Sequence, residues 1–165
     1  MKYDEPMYIN VEKGAQEVGE SIEADIRNLC EEESFAVLAT QGAGQPYTSL
    51  IGFATSRNLK YLVFATPRQT RKFTLLEENR NVSLLIDNRA HQLKSLNQIS
   101  ALTVTGQVTV PSDEEDIKKW REVLIQKHPY LDTFIRSETT ALVVVEVSRY
   151  FYVRRFQEVF EWTPE

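Results

Sequence analysis

The stretch FAVLATQGAGQPYTSLIGFA, residues 35–54, carries two apolar runs around a centre that holds Gly42, Gly44 and Pro46. Apolar and β-branched runs separated by Gly and Pro read as two strands joined by a hairpin loop. Both faces of the second run are rich in apolar groups, with Tyr47, Ser49, Ile51 and Phe53 on one and Thr48, Leu50, Gly52 and Ala54 on the other. Strands covered on both sides suit a barrel with helices packed around it better than a half-exposed sheet.

Working outward, NLKYLVFA (58–65) makes a third strand, NVSLLID (81–87) a fourth, and SALTVTGQVTVP (100–111) a long strand rich in β-branched residues. TTALVVVEVSRYFYVRR (139–155) brings the number to six or so. Residues 16–34 place Val18, Ile22, Ile26, Leu29 and Cys30 at helical spacing with acids between them. A short helix is expected over 70–78. A second amphipathic helix spans 111–129, with Ser112 as its cap and Glu115 three residues later, and it packs on the barrel through Ile117, Trp120, Val123 and Leu124. The expected fold is therefore α+β or mainly β: six to seven antiparallel strands in a barrel with flanking helices. No repeat or linker interrupts the chain, so residues 1–165 read as one domain, with the loop over 87–98 as its most mobile element.

Composition narrows the function. The 165 residues are 42% hydrophobic and 26% charged, ordinary for a globular domain, and the net charge of −5 argues against a nucleic-acid binder, which needs a basic face. A single cysteine, Cys30, precludes a disulfide within the chain and fits a reducing compartment. The start MKYDEPMYINVEKG lacks the apolar centre of a signal peptide. No apolar run reaches the ~20 residues a membrane helix needs. The expectation is a cytoplasmic protein with no membrane association.

The stretch ATPRQTRK, residues 65–72, is electrostatically odd. It begins the short helix with Arg71 and Lys72, whereas the helix after Ser112 begins with acids. Cations at the positive end of a helix dipole are disfavoured by roughly 0.3–1 kcal/mol each. Neither finds an acid three or four residues on, where Thr74, Leu75 and Leu76 stand. Two readings remain open on these residues alone. A bound phosphate would take the helix-start N–H groups, the Thr70 hydroxyl and both cations. Otherwise the cations lie in solvent or pair with distant acids such as those of residues 31–33.

The ordered set VLATQGAGQPYTSLIGFA, LKYLVFATPRQTRKFTLLEENRNVSLLID and SALTVTGQVTV resembles the FMN-binding split β-barrel family that includes pyridoxamine 5′-phosphate oxidase. The likeness covers roughly residues 35–110. It implies that Thr70, Arg71 and Lys72 match the Ser/Thr–Arg–Lys that holds the FMN phosphate, with Arg68 as an outer member. Ala65 and Thr66 match the strand end beside the flavin ring and ribityl chain. Ser49, Leu50 and Ile51 match the segment whose backbone lies against the isoalloxazine. The family pairs subunits so that each flavin sits at the interface, implying a homodimer here. The family's oxidase has lysine at the position of Ala54 and glutamine at that of Ala101, and its C-terminal Arg-Leu-His-Asp-Arg run has no counterpart beside Arg149, Arg154 and Arg155. Pyridoxamine phosphate oxidation itself is therefore not expected.

The remaining candidates favour plain structural roles. His91 and His128 lack zinc-ligand spacing, so no metal site is expected. His128, ahead of Pro129, suits interaction with the carbonyls of its own helix end. His91 reads as a solvated loop residue, with approach to a flavin or ligation of a haem as the alternative. Cys30 reads as core, and Tyr150, Phe151, Tyr152, Phe156 and Trp162 as core or interface. Gly42 and Gly44 lack the rest of a dinucleotide fingerprint. The resulting expectation is an FMN-dependent oxidoreductase acting on an unidentified small molecule, with no side chain singled out as catalytic. The alternative is a non-catalytic flavin- or haem-binding protein for storage, sensing or transfer.

Overall fold

The computed structural model describes residues 8–10, 16–91, 95–155 and 158–165. The N-terminal segment read for a signal peptide lies mostly outside these residues, as do Phe156 and part of the 87–98 loop. The elements run β1 (Tyr8–Asn10), α1 (Gln16–Glu32), β2 (Phe35–Gly42), β3 (Gln45–Thr55), β4 (Tyr61–Pro67), α2 (Arg71–Glu78), β5 (Asn81–Asp87), β6 (Ala101–Thr109), α3 (Glu114–Lys127), α4 (Asp132–Arg136), β7 (Thr140–Arg154) and β8 (Glu158–Trp162).

Six strands close a barrel in the order β7-β4-β3-β2-β5-β6, with β6 returning to β7 and every pairing antiparallel. The long β7 makes closure possible. Residues 140–146 pair with β4, and residues 144–153 pair with β6 across a bulge at Thr105 and Gly106. At Gly106 a Cβ would run into the Glu146 carbonyl oxygen, so the close approach at the bulge requires glycine. Outside the barrel, β8 pairs with β7, and β1 runs parallel to β8.

The β2–β3 hairpin is tighter than the sequence suggested. Only Ala43 and Gly44 lie between the strands, both with positive φ (49° and 79°), as a two-residue primed turn requires. Pro46 falls inside β3 rather than in the loop.

Alternation turns one face of each barrel strand to an inner core, and the other face of β3, β4 and β7 to a second, outer one. Leu38, Phe53, Leu62, Phe64, Leu84, Leu102, Val143 and Tyr150 fill the inside with Ile22, Ile26 and Cys30 of α1. Ala54, Val63, Leu142 and Val144 face outward under Trp120, Leu124 and Ile135 of α3 and α4. Cys30 is core as expected, and burial pushes its thiol up to about 12. Trp120 packs on Tyr61 at 5.5 Å between centroids. Of the C-terminal aromatics, Tyr150, Tyr152 and Trp162 join the core and Phe151 does not: Tyr150 donates to the Leu59 carbonyl at 2.7 Å and packs at 5.6 Å on Trp162.

The expected cover on both faces of the hairpin does not extend along its whole length. The helices reach the outside of β4, β7 and the end of β3, but leave the outside of β2, β5 and the middle of β3 bare. Leu50 is 66% exposed and Phe35 52%. Register aligns Leu50, Val37, Leu85, Thr103 and Phe151 in one transverse row.

Candidate functional site

The start of α2 sits where β4 ends at the barrel rim. Thr70 caps the helix: its hydroxyl accepts from the Phe73 N–H at 3.4 Å, donates to the Pro67 carbonyl at 2.9 Å, and lies 3.0 Å from the buried Thr66 hydroxyl. Thr70 and Thr66 are thus brought together, but the Thr70 hydroxyl is already engaged in shaping the turn. Its contribution is to fix the direction of the first-turn N–H groups, which have no intrahelical partner. The first turn contains no acid.

Arg71 and Lys72 remain without ion-pair partners among the described residues. The alternative pairing with Glu31, Glu32 or Glu33 does not occur. Glu33 instead faces His91, 3.6 Å away, and burial raises its pKa. The exposed Arg71 guanidinium lies over the Tyr47 ring, 5.1 Å from its centroid, a cation–π contact the sequence could not reveal because it joins α2 to β3. Arg68 turns elsewhere, its guanidinium 5.7 Å from the Phe73 centroid and its backbone N–H on the Thr139 carbonyl.

The other expected site residues divide between faces. On β3, Ser49 shares a face with Tyr47, Ile51 and Phe53, while Leu50 points outward into the bare strip. Ser49 Oγ is buried and has no hydrogen-bond partner, a polar atom left waiting on the row that begins at Tyr47. On β4, Thr66 is buried on the inner face, whereas Ala65 packs against the α3–α4 cluster. The side chains of Ala65 and Leu50 thus lie on the opposite faces of their strands from those of Thr66 and Ser49.

The histidines are accounted for locally. His128 does not turn to its own helix end. Its Nε2 donates to the Phe53 carbonyl at 2.9 Å, leaving Nδ1 to accept from Tyr130 at 3.2 Å. Burial lowers the pKa of His128. His91 is exposed, and no group of three or more metal-ligating side chains occurs among the described residues. No helix among them is long and apolar enough to cross a membrane.

Residues 22–154 match the sequence model of the pyridoxamine 5′-phosphate oxidase family. The chain belongs to that family. Its fold agrees with a Clostridium acetobutylicum protein related to general stress protein 26, of the pyridoxinephosphate oxidase family (TM-score 0.67, 16% identity, covering 87% of this chain and 95% of that one). It agrees also with a haem-binding protein from Mycobacterium smegmatis (TM-score 0.74, 16% identity, 84% and 56% covered) and with ChuZ from Campylobacter jejuni (TM-score 0.75, 13% identity, 87% and 60% covered). The chain thus spans little more than half the length of these last two. No curated protein matches the sequence.

Within this family, the present chain departs from the oxidase in places the structure explains. Ala54 is 3% exposed beneath α3, so the site of the expected lysine is filled by the second core. The C-terminal arginines are committed to ion pairs: Arg149 with Glu161, Arg154 with Asp25 and Glu158, Arg155 with Glu158. The contrast with unpaired Arg71 and Lys72 is plain.

Proposed function

We propose that this chain binds FMN, with the phosphate at the start of α2, and that it acts as an oxidoreductase on a small molecule. The observation that carries the reading is the pair of cations, Arg71 and Lys72, held at a helix N-terminus with no acid beside them. A phosphate there would receive first-turn N–H groups and two charge-assisted contacts, reversing an unfavourable charge placement. Ser49 Oγ offers an unused polar atom along the same face of β3, and the backbones of residues 49–51 and 65–66 complete the cradle. When bound, FMN would supply the hydride or electron chemistry. The protein's part is to orient the ring and exclude water.

The bare strip of Phe35, Val37, Leu50 and Leu85 supports a homodimer. Large apolar side chains left together on a sheet face mark an interaction surface. Leu50 neighbours Ser49 and Ile51 on β3, so a partner seated there would lie close to the cradle's backbone. A haem-binding reading draws on the Mycobacterium smegmatis neighbour, but both nitrogens of His128 are engaged and His91 faces Glu33.

The test is the visible spectrum of the purified protein with added FMN, followed by fluorescence titration of Arg71→Ala with Lys72→Ala. Loss of two charge-assisted contacts at about 1.5–3 kcal/mol each should weaken FMN binding by roughly two orders of magnitude or more. Unchanged affinity would remove the phosphate assignment, and a Soret band with no flavin uptake would favour haem.

A further inference from the structure

A second basic pocket lies away from the α2 start, between the β4–α2 connection, α3, α4 and the beginning of β7. Three arginines from separate segments meet there: Arg68, Arg121 and Arg136. The cavity measures about 180 Å³, with a floor of Val110, Ile117, Ile135 and Leu142 and a polar edge of Ser137, Glu138 and Thr140.

Each arginine has a different standing. Arg136 is steadied by Asp132, Nε to Oδ1 at 2.8 Å. Arg68 is anchored through its backbone N–H to the Thr139 carbonyl at 2.9 Å and by its stacking over Phe73. Arg121 has no ion-pair partner among the described residues, and its Nε is buried without a hydrogen bond. Arg121 itself is half-buried, and burying its Nε–H donor without a partner is unfavourable unless something else supplies one. The one carboxylate on the lining, Glu138, forms no ion pair with any of the three. The cavity therefore carries an excess of positive charge in a chain whose net charge is −5.

We propose that this pocket is a binding site for a small oxyanion, a phosphate or a carboxylate, separate from the flavin cradle. Guanidinium forks match the paired oxygens of both groups, and the apolar floor accommodates a short carbon skeleton attached to them. At about 180 Å³ the cavity has room for a small oxyanion together with several waters. Arg68 and Arg71, three residues apart, then serve different anions: Arg71 lies over Tyr47 at the barrel rim, while Arg68, over Phe73, lines the pocket.

Calorimetric titration with inorganic phosphate, and separately with succinate, tests this at constant ionic strength made up with chloride. The full chain carrying Arg71→Ala and Lys72→Ala is used, so that phosphate cannot report on the cradle. At least one of the two anions is expected to bind saturably. Adding Arg121→Met should weaken that binding at least about ten-fold, while the thermal midpoint without ligand stays level or rises because a buried N–H donor without a partner has been removed. Should Arg121→Met fail to fold, Arg136→Met gives the same readout. In the otherwise unaltered chain, Arg121→Met should leave FMN affinity unchanged. The proposal is overturned if neither anion binds, if binding survives both substitutions, or if Arg121→Met lowers FMN affinity as far as the cradle variant does.

Discussion

The N-termini of α2 and α3 solve the same problem in opposite ways. At α3, Asp113 accepts from the N–H groups of Glu115 (3.0 Å) and Asp116 (3.3 Å), and Glu114, Glu115 and Asp116 oppose the helix dipole. At α2, Thr70 caps through a hydroxyl, and the first turn offers Arg71 and Lys72. One start is complete within the chain. The other is held by the packing of Phe73 and Leu76, and its two cations have no ion-pair partner among the described residues.

Exchanging the two first turns is the sharpest way to break the contrast. Arg71→Glu with Lys72→Glu should abolish FMN binding altogether, since the phosphate would meet two carboxylates in place of two cations. The same substitutions should raise the stability of the ligand-free protein by a few tenths to about 1 kcal/mol per residue, as acids at a helix start do. Fluorescence titration and thermal unfolding read the two effects, which must have opposite signs. A double variant that loses stability and keeps its flavin would mean that the cations at α2 are structural.

The reciprocal change belongs to α3. Asp113→Ala removes the cap from two N–H groups and should lower stability by about 1 kcal/mol, within the ~0.5–2 kcal/mol range for such caps. FMN affinity should not move. Urea unfolding with an unchanged m-value, alongside the flavin titration, checks both.

How much of this was legible in the sequence follows the range of the interaction. The misfit at α2 is visible because helix electrostatics are local, so Thr70, Arg71 and Lys72 stand out in a single line of text. The cap of α3 was placed one residue early, at Ser112, because both Ser112 and Asp113 are good caps and only the backbone geometry chooses between them. The hairpin was legible through Gly44, yet the bare face of Leu50 was not: two apolar faces predict two covers, and one cover is missing within a single chain. Contacts between distant segments left no signal. The carbonyl of Phe53 that takes the His128 proton, the ring of Tyr47 under Arg71, and the meeting of Arg68 with Arg121 and Arg136 all depend on barrel closure.

A third helix end extends the comparison to the negative pole. The last turn of α1 has no basic residue of its own, and Lys127, from the last turn of α3, reaches across to donate to the Cys30 and Glu33 carbonyls, both at 2.6 Å, with its ammonium 3.9 Å from the Phe53 centroid. Here the chain supplies from a distance what α2 lacks altogether. The cost is burial: desolvation lowers the Lys127 pKa from 10.5 to about 8, against the opposing pull of Cys30, Glu33 and Glu31. Between about pH 8 and 10.5 the unfolded chain therefore binds the proton that the folded chain has released. Unfolding then takes up protons, so the contribution of Lys127 to stability must rise with pH through that window and be flat below it. Unfolding free energies measured from pH 7 to 10.5 should show this positive slope superimposed on other titrations, and Lys127→Met should remove it whichever way its absolute stability moves. A slope identical in the variant would mean that the ammonium holds its proton at the α1 end as firmly as in water, with the two carbonyls offsetting its burial in full.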